Sequence, residues 1–141
     1  GRLGVIHRLD YAHLIEFDAG QPGITLDVEI SITGKTANLS AKIDTGSTDC
    51  IFARRFGEQL GLNIEEGEFI RIGTAIGGFS TFRHFVTFSF LNYRYEAGIC
   101  FAADESFKRN VLGRSWFLNQ ILLGLNDYEG KLYLSSLAET W

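Results

Sequence analysis

Apolar side chains occupy every even position from Ile24 to Ile32, with the polar residues Thr25, Asp27, Glu29 and Ser31 between them. A period of two sends successive side chains to opposite faces, so this stretch predicts a half-buried strand. Thr33-Gly34-Lys35 supplies a turn, and Ala37, Leu39, Ala41 and Ile43 resume the alternation up to Asp44, completing a hairpin. Phe69 to Ile76 and Phe79 to Phe90 are again rich in strand formers. They flank Gly77-Gly78, whose tolerance of positive φ suits the turn of a second, long hairpin. Leu91 to Arg94 reads as a reversal, Tyr95 to Ala102 as an apolar strand and Asp104 to Asn110 as a polar loop before the brief apolar run Val111-Leu112-Gly113. Ser115 as an N-cap predicts a short helix to about Gln120, and Ile121 to Leu125 with Lys131 to Ser135 predicts a last pair of strands. A second short helix is expected within 53–62, where Phe56 and Leu60 are four apart and Gly61 can end it. Residues 1–20 are mixed, with a short strand over Leu14 to Phe17, and Gly20-Gln21-Pro22-Gly23 then punctuates the chain. The expected organisation is an N-terminal extension over 1–20, either a strand or a processed segment, followed by one domain over 21–141.

Composition narrows this mainly β picture. A chain of 141 residues can bury a sizeable core as one domain, and 45% apolar with 21% charged residues is ordinary for a globular protein. Twelve Phe, 16 Gly and one Pro favour a small β fold whose turns depend on glycine. The net charge of −4 is scattered and offers no footprint for a nucleic-acid backbone. No apolar run reaches the roughly 18 residues that cross a bilayer, so a soluble domain without membrane contact is expected, with the cytoplasm slightly favoured. Met is absent even at position 1, which implies a chain trimmed or processed upstream. Cys50 and Cys100 read as buried thiols, and His7, His13 and His84 are too dispersed for a recognised zinc motif, so neither metal nor organic cofactor is expected. A thiol pair of Cys50 with His84 has no local signature to support it.

The chemistry concentrates at Asp44-Thr45-Gly46-Ser47. Asp and Gly are common in turns after strands. Here, however, the carboxylate directly follows a buried-strand pattern and precedes a small, hydroxyl-rich turn, a costly place for an idle charge. With Ile76-Gly77-Gly78-Phe79 and Arg83-His84-Phe85, then Asn110-Val111-Leu112-Gly113-Arg114, this run makes three blocks in one order. Over roughly residues 24–135 the chain resembles the retropepsin-like, or retroviral-type, aspartic proteases. The resemblance implies a single-domain closed β-barrel of the acid protease type, with one or two short helices. It implies a homodimer too, because the chain has a single Asp-Thr-Gly and is too short for a second lobe, so that Asp44 must meet its twin across a two-fold axis.

Further roles are implied residue by residue. Asp44 would supply one of two catalytic carboxylates, Thr45 would hydrogen-bond across the axis, and Gly46 would let the backbone approach a polypeptide substrate. Ser47 would donate to the outer oxygen of Asp44, unless it is a plain turn serine. Ile76 would sit at the tip of a mobile flap, with Gly77 and Gly78 allowing it to open, although an ordinary hairpin turn also explains them. Val111 matches a substrate-pocket position or a core valine. Gly113 and Arg114 look structural, Arg114 being paired with a carboxylate near the active-site loop. Two departures from the viral pattern stand out. Thr48 replaces one of two acidic residues after the catalytic Gly, so that Arg114 either uses Asp49 or loses the contact; and the loop before Val111 carries Lys108-Arg109 where viral members are more apolar. Those two cations suggest a preference for acidic groups near the scissile bond. The implied activity is an aspartic endopeptidase on extended polypeptide, and the alternative is a catalytically weak dimerisation or peptide-binding module of the same fold.

Overall fold

The computed structural model describes residues 4–139. In chain order the strands are β1 (His13–Glu16), β2 (Thr25–Ile32), β3 (Lys35–Ile43) and β4 (Ile51–Phe52), then helix α1 (Arg54–Gln59). Next come β5 (Glu68–Thr74), β6 (Gly77–Phe90), β7 (Tyr93–Ala102), β8 (Val111–Leu112), β9 (Ile121–Asn126) and β10 (Lys131–Ser136), with single 3₁₀ turns at Ile64–Glu66, Leu118–Gln120 and Leu137–Glu139. Seven strands form one sheet in the order β2-β3-β8-β4-β7-β6-β5, and a further pairing of β2 with β6 joins its ends into a ring, with β5 outside it. Closing the ring leaves most strands no free edge and encloses the core.

The alternation drives this arrangement. In β2 the side chains of Leu26, Val28 and Ile30 are buried, and in β3 those of Ala37, Leu39 and Ala41 are. The two strands pair in antiparallel register from Thr25 opposite Lys42 to Ile32 opposite Lys35, around a two-residue turn with positive φ at Thr33 and Gly34. The phenylalanines fill the ring: Phe52, Phe88, Phe101 and Phe117 are fully buried, with Phe90 and Phe117 centroids 5.2 Å apart and Phe52 edge-on to Phe101 at 6.4 Å. Such pairs add about 1 kcal/mol each beyond their buried area. Helix α1 packs Phe56 and Leu60 into the core and ends at Gly61, whose φ of +79° continues no helix.

Two local expectations change. The second hairpin does not turn at Gly77-Gly78; Thr74 pairs with Gly77 and Gly73 with Gly78, so Ala75 and Ile76 form the loop. Gly77 takes φ +133°, a value closed to side-chain-bearing residues, and thereby lets strand β6 begin immediately after the turn. Ser115 caps no helix. The segment after it carries Trp116 at φ +72°, with its N–H held by Asn119 Oδ1 at 3.1 Å, and forms only the turn at Leu118–Gln120. The short strand expected over Leu14 to Phe17 forms one position earlier as β1, which pairs from His13 opposite Leu134 to Glu16 opposite Lys131, so β10 lies between β1 and β9 in a small second sheet.

Candidate active site

Two strands that are distant in sequence converge beneath Asp44. β3 runs parallel to β8, with Lys42 opposite Val111 and Ile43 opposite Leu112, and the Asp44 N–H donates to the Leu112 carbonyl at 2.9 Å. The chain then turns back on itself: Ser47 N–H donates to the Asp44 carbonyl at 3.2 Å, and Gly46 N–H donates to Asp44 Oδ1 at 2.9 Å. From the other side, Arg114 N–H reaches the Ser47 carbonyl at 2.9 Å and Ser115 N–H the Thr48 carbonyl at 2.8 Å. Loop 44–49 is thus held between β3 and the segment after β8. Gly113 makes the approach possible, since a Cβ there would stand 2.3 Å from the Asp49 carbonyl oxygen and 2.6 Å from that of Ser47. Asn110 completes the frame by accepting from Ala53 N–H at 2.9 Å and donating to the Ser40 carbonyl at 3.3 Å.

Asp44 is half-buried and faces a cleft of about 430 Å³. Ser47, Asp49 and Val111 line the cleft floor, Ile72, Gly73 and Thr74 of the β5–β6 arm line its roof, and Phe79 and Phe107 close one end. Those two rings stack at 4.7 Å and tie the loop before β8 to the arm at Phe79, opposite Ile72. Of the positions singled out in the sequence, Asp44, Gly46, Ser47 and Val111 border this cleft; Thr45 lies on the far side of the loop, and Ile76 stands 99% exposed at the arm's end with Gly77 beside it. A larger, shallower groove of about 790 Å³ runs past Asp27, Glu29, Ser89 and Arg94, but the Asp44 loop does not reach it.

Two anticipated contacts are replaced by others. The Ser47 hydroxyl donates to the Asp49 carbonyl at 2.8 Å, not to Asp44, because the turn brings that carbonyl inward. Asp49 is 3.6 Å from Arg83 Nη2, and Arg83 also holds Glu68 Oε1 at 3.0 Å; Arg114 is exposed and contributes through its backbone instead. The Arg83 pairing had no local signal, since 34 positions separate it from Asp49 and only the pairing of β7 with both β6 and β4 brings them together. The thiols are not poised for nucleophilic work. Burial pushes Cys50 up to about 12 and raises Cys100, while His84 Nε2 is occupied at 2.9 Å from the Ile64 carbonyl oxygen.

No protein-family model and no curated protein matches the sequence. Among solved structures, the chain is similar to the EIAV protease complexed with the inhibitor HBY-793. The TM-score is 0.54, the identity 20%, and the match covers 71% of this chain and 88% of that one. The fold is retropepsin-like. That likeness concerns the path of the backbone.

Proposed function

We propose that the chain is an aspartic endopeptidase that works as a homodimer, with the two Asp44 carboxylates activating a water between them. The observation that carries this reading is the setting of Asp44: a carboxylate fixed by a backbone N–H at 2.9 Å, open to a cleft, on a loop braced from both sides. Amide hydrolysis without a covalent nucleophile needs one group to accept a proton from water and another to give one to the carbonyl oxygen. Two carboxylates about 3 Å apart do both, because so close together they retain one shared proton. The titration belongs to the pair, and activity favours mildly acidic pH.

The other face of the Asp44 loop supports the dimer. There a small, mainly apolar cavity of about 290 Å³ is bordered by Ile24, Ile43, Leu123, Leu125 and Leu132 together with Lys42, Asp44 and Thr45, and Leu125 is 55% exposed. β9 pairs only with β10 among the described residues, leaving a free strand edge beside this apolar surface. An isologous contact across it brings Thr45 and Asp44 toward their counterparts. An extended polypeptide then lies as an added strand between floor and arm, with the β5–β6 arm acting as a flap and Ile76 at its tip.

The test is incubation of a denatured protein with the wild type and with Asp44→Asn, each with and without a pepstatin-like inhibitor. Cleavage that disappears in the variant and is suppressed by the inhibitor supports the enzyme. Binding that persists without any cleavage by the wild type assigns the chain to the non-cleaving module instead.

A further inference from the structure

Four charged side chains border the cleft: Asp44, Asp49, Arg71 from the arm and Arg109 from the loop before β8. Asp49 is answered by Arg83 at 3.6 Å. The two cleft arginines are not answered in the same way, for the ion pairs among the described residues use Arg54, Arg83 and Lys131. Arg71 reaches Ser80 Oγ at 3.3 Å and lies along Gly78, whose added Cβ would be 3.2 Å from its Nε. Arg109 lies 5.5 Å over the Phe107 ring, which is itself stacked on Phe79. A guanidinium resting on a ring keeps its planar edge of N–H donors for a carboxylate. Lys108, the sequence neighbour of Arg109, does not border the cleft.

We propose that Arg109 and Arg71 select acidic side chains, Asp or Glu, next to the bond that is cut. This rests on the endopeptidase reading for the word "cut", though the recognition itself does not. In the two-fold assembly each arginine is present twice, whereas the Asp44 pair sharing one proton carries a single negative charge. The closed cleft is therefore cationic on both sides of the reacting centre. A carboxylate received bidentately by Arg109, away from bulk water, gains more than an exposed ion pair does. Symmetry places such a subsite on each side of the scissile bond.

Two measurements separate this proposal from the reading it rests on. In the first, a random peptide library is digested and read by mass spectrometry, using the wild type, Arg71→Gln/Arg109→Gln, Arg71→Glu/Arg109→Glu and Lys108→Glu. Acidic residues should be enriched about tenfold around the wild-type cuts, the glutamine variant should lose the enrichment and the glutamate variant should turn it toward Lys and Arg, with Lys108→Glu resembling the wild type. In the second, Asp44→Asn is titrated with fluorescent peptides carrying Glu or its neutral isostere Gln, with and without the arginine substitutions. Cleavage without acidic enrichment overturns the proposal and leaves the peptidase standing. No cleavage, but Glu-selective binding that the arginine substitutions abolish, removes the peptidase and keeps the proposal. Neither cleavage nor selective binding overturns both.

Discussion

Hydrogen bonds with β8, within the turn itself and from the segment after β8 hold the Asp44 loop, whereas the β5–β6 arm opposite ends in a two-residue turn with Ile76 almost wholly in solvent. The floor buries a glycine, Gly113, against backbone oxygens and allows it no side chain. The arm places Gly73 and Gly77 where an added Cβ would meet nothing within 4 Å. The floor is packed tightly against backbone, while the turn at the end of the arm is open. The proposed hydrolysis by a held water would need the first property, since small displacements of reacting groups cost rate steeply; admission of a polypeptide would need the second.

Substitutions in the two regions should therefore fail differently. Asp44→Asn is expected to cut turnover on the order of a thousandfold or more, measured as cleavage of a denatured protein, because an amide cannot share the proton. Equal turnover would remove the floor from the chemistry altogether. Gly113→Ala forces a methyl into backbone oxygens and should destabilise the fold by about 3 kcal/mol, read from the urea midpoint. A midpoint that stays put would show that the floor is softer than its hydrogen bonds suggest. Phe107→Ala, which removes the stack on Phe79, should cost about 1 kcal/mol in the same assay and broaden cleavage specificity by loosening one end of the cleft.

On the arm, Gly77→Val meets backbone strain at φ +133°, not a clash, and should move the midpoint by less than about 1 kcal/mol because the tip can reorganise in solvent. Its larger effect is on turnover, so a loss of folding stability matching Gly113→Ala would erase the contrast between the regions. The smallest effect belongs to the thiols. Burial raises both, keeping them protonated and covered near pH 8, so Cys50 and Cys100 should label with a thiol reagent only as fast as the protein unfolds.

Particular residues show how far the chain could be read. Period-two runs placed β2 and β3, because a half-buried strand repeats its environment every second residue, and richness in strand formers and apolar residues placed most of β6 and β7. The turn of the long hairpin was misplaced by two positions, since Gly77-Gly78 is the strongest turn signal there, yet the cross-strand register assigns the loop to Ala75-Ile76 and uses the glycines to start a strand. The Ser115 segment was expected to be a helix, but Trp116 in the left-handed region and the backbone link from Ser115 to Thr48 draw it into the floor instead. Lys108-Arg109 looked like a matched pair of cations, and the cleft keeps only Arg109, joining it with Arg71 from 38 positions earlier.

What the sequence determined alone was local: where the backbone runs extended, which faces are apolar, and that a lone Asp follows a buried strand ahead of small residues. These depend on neighbours within a few positions, whose periodicity is written in the chain. Tertiary structure decided which distant segments share a boundary: Arg83 with Asp49, Phe107 with Phe79, Gly113 against the Asp44 loop. Pairing between strands far apart in the chain brings these residues together, and because it sums many small preferences over the whole length of the chain, no short stretch of sequence records it.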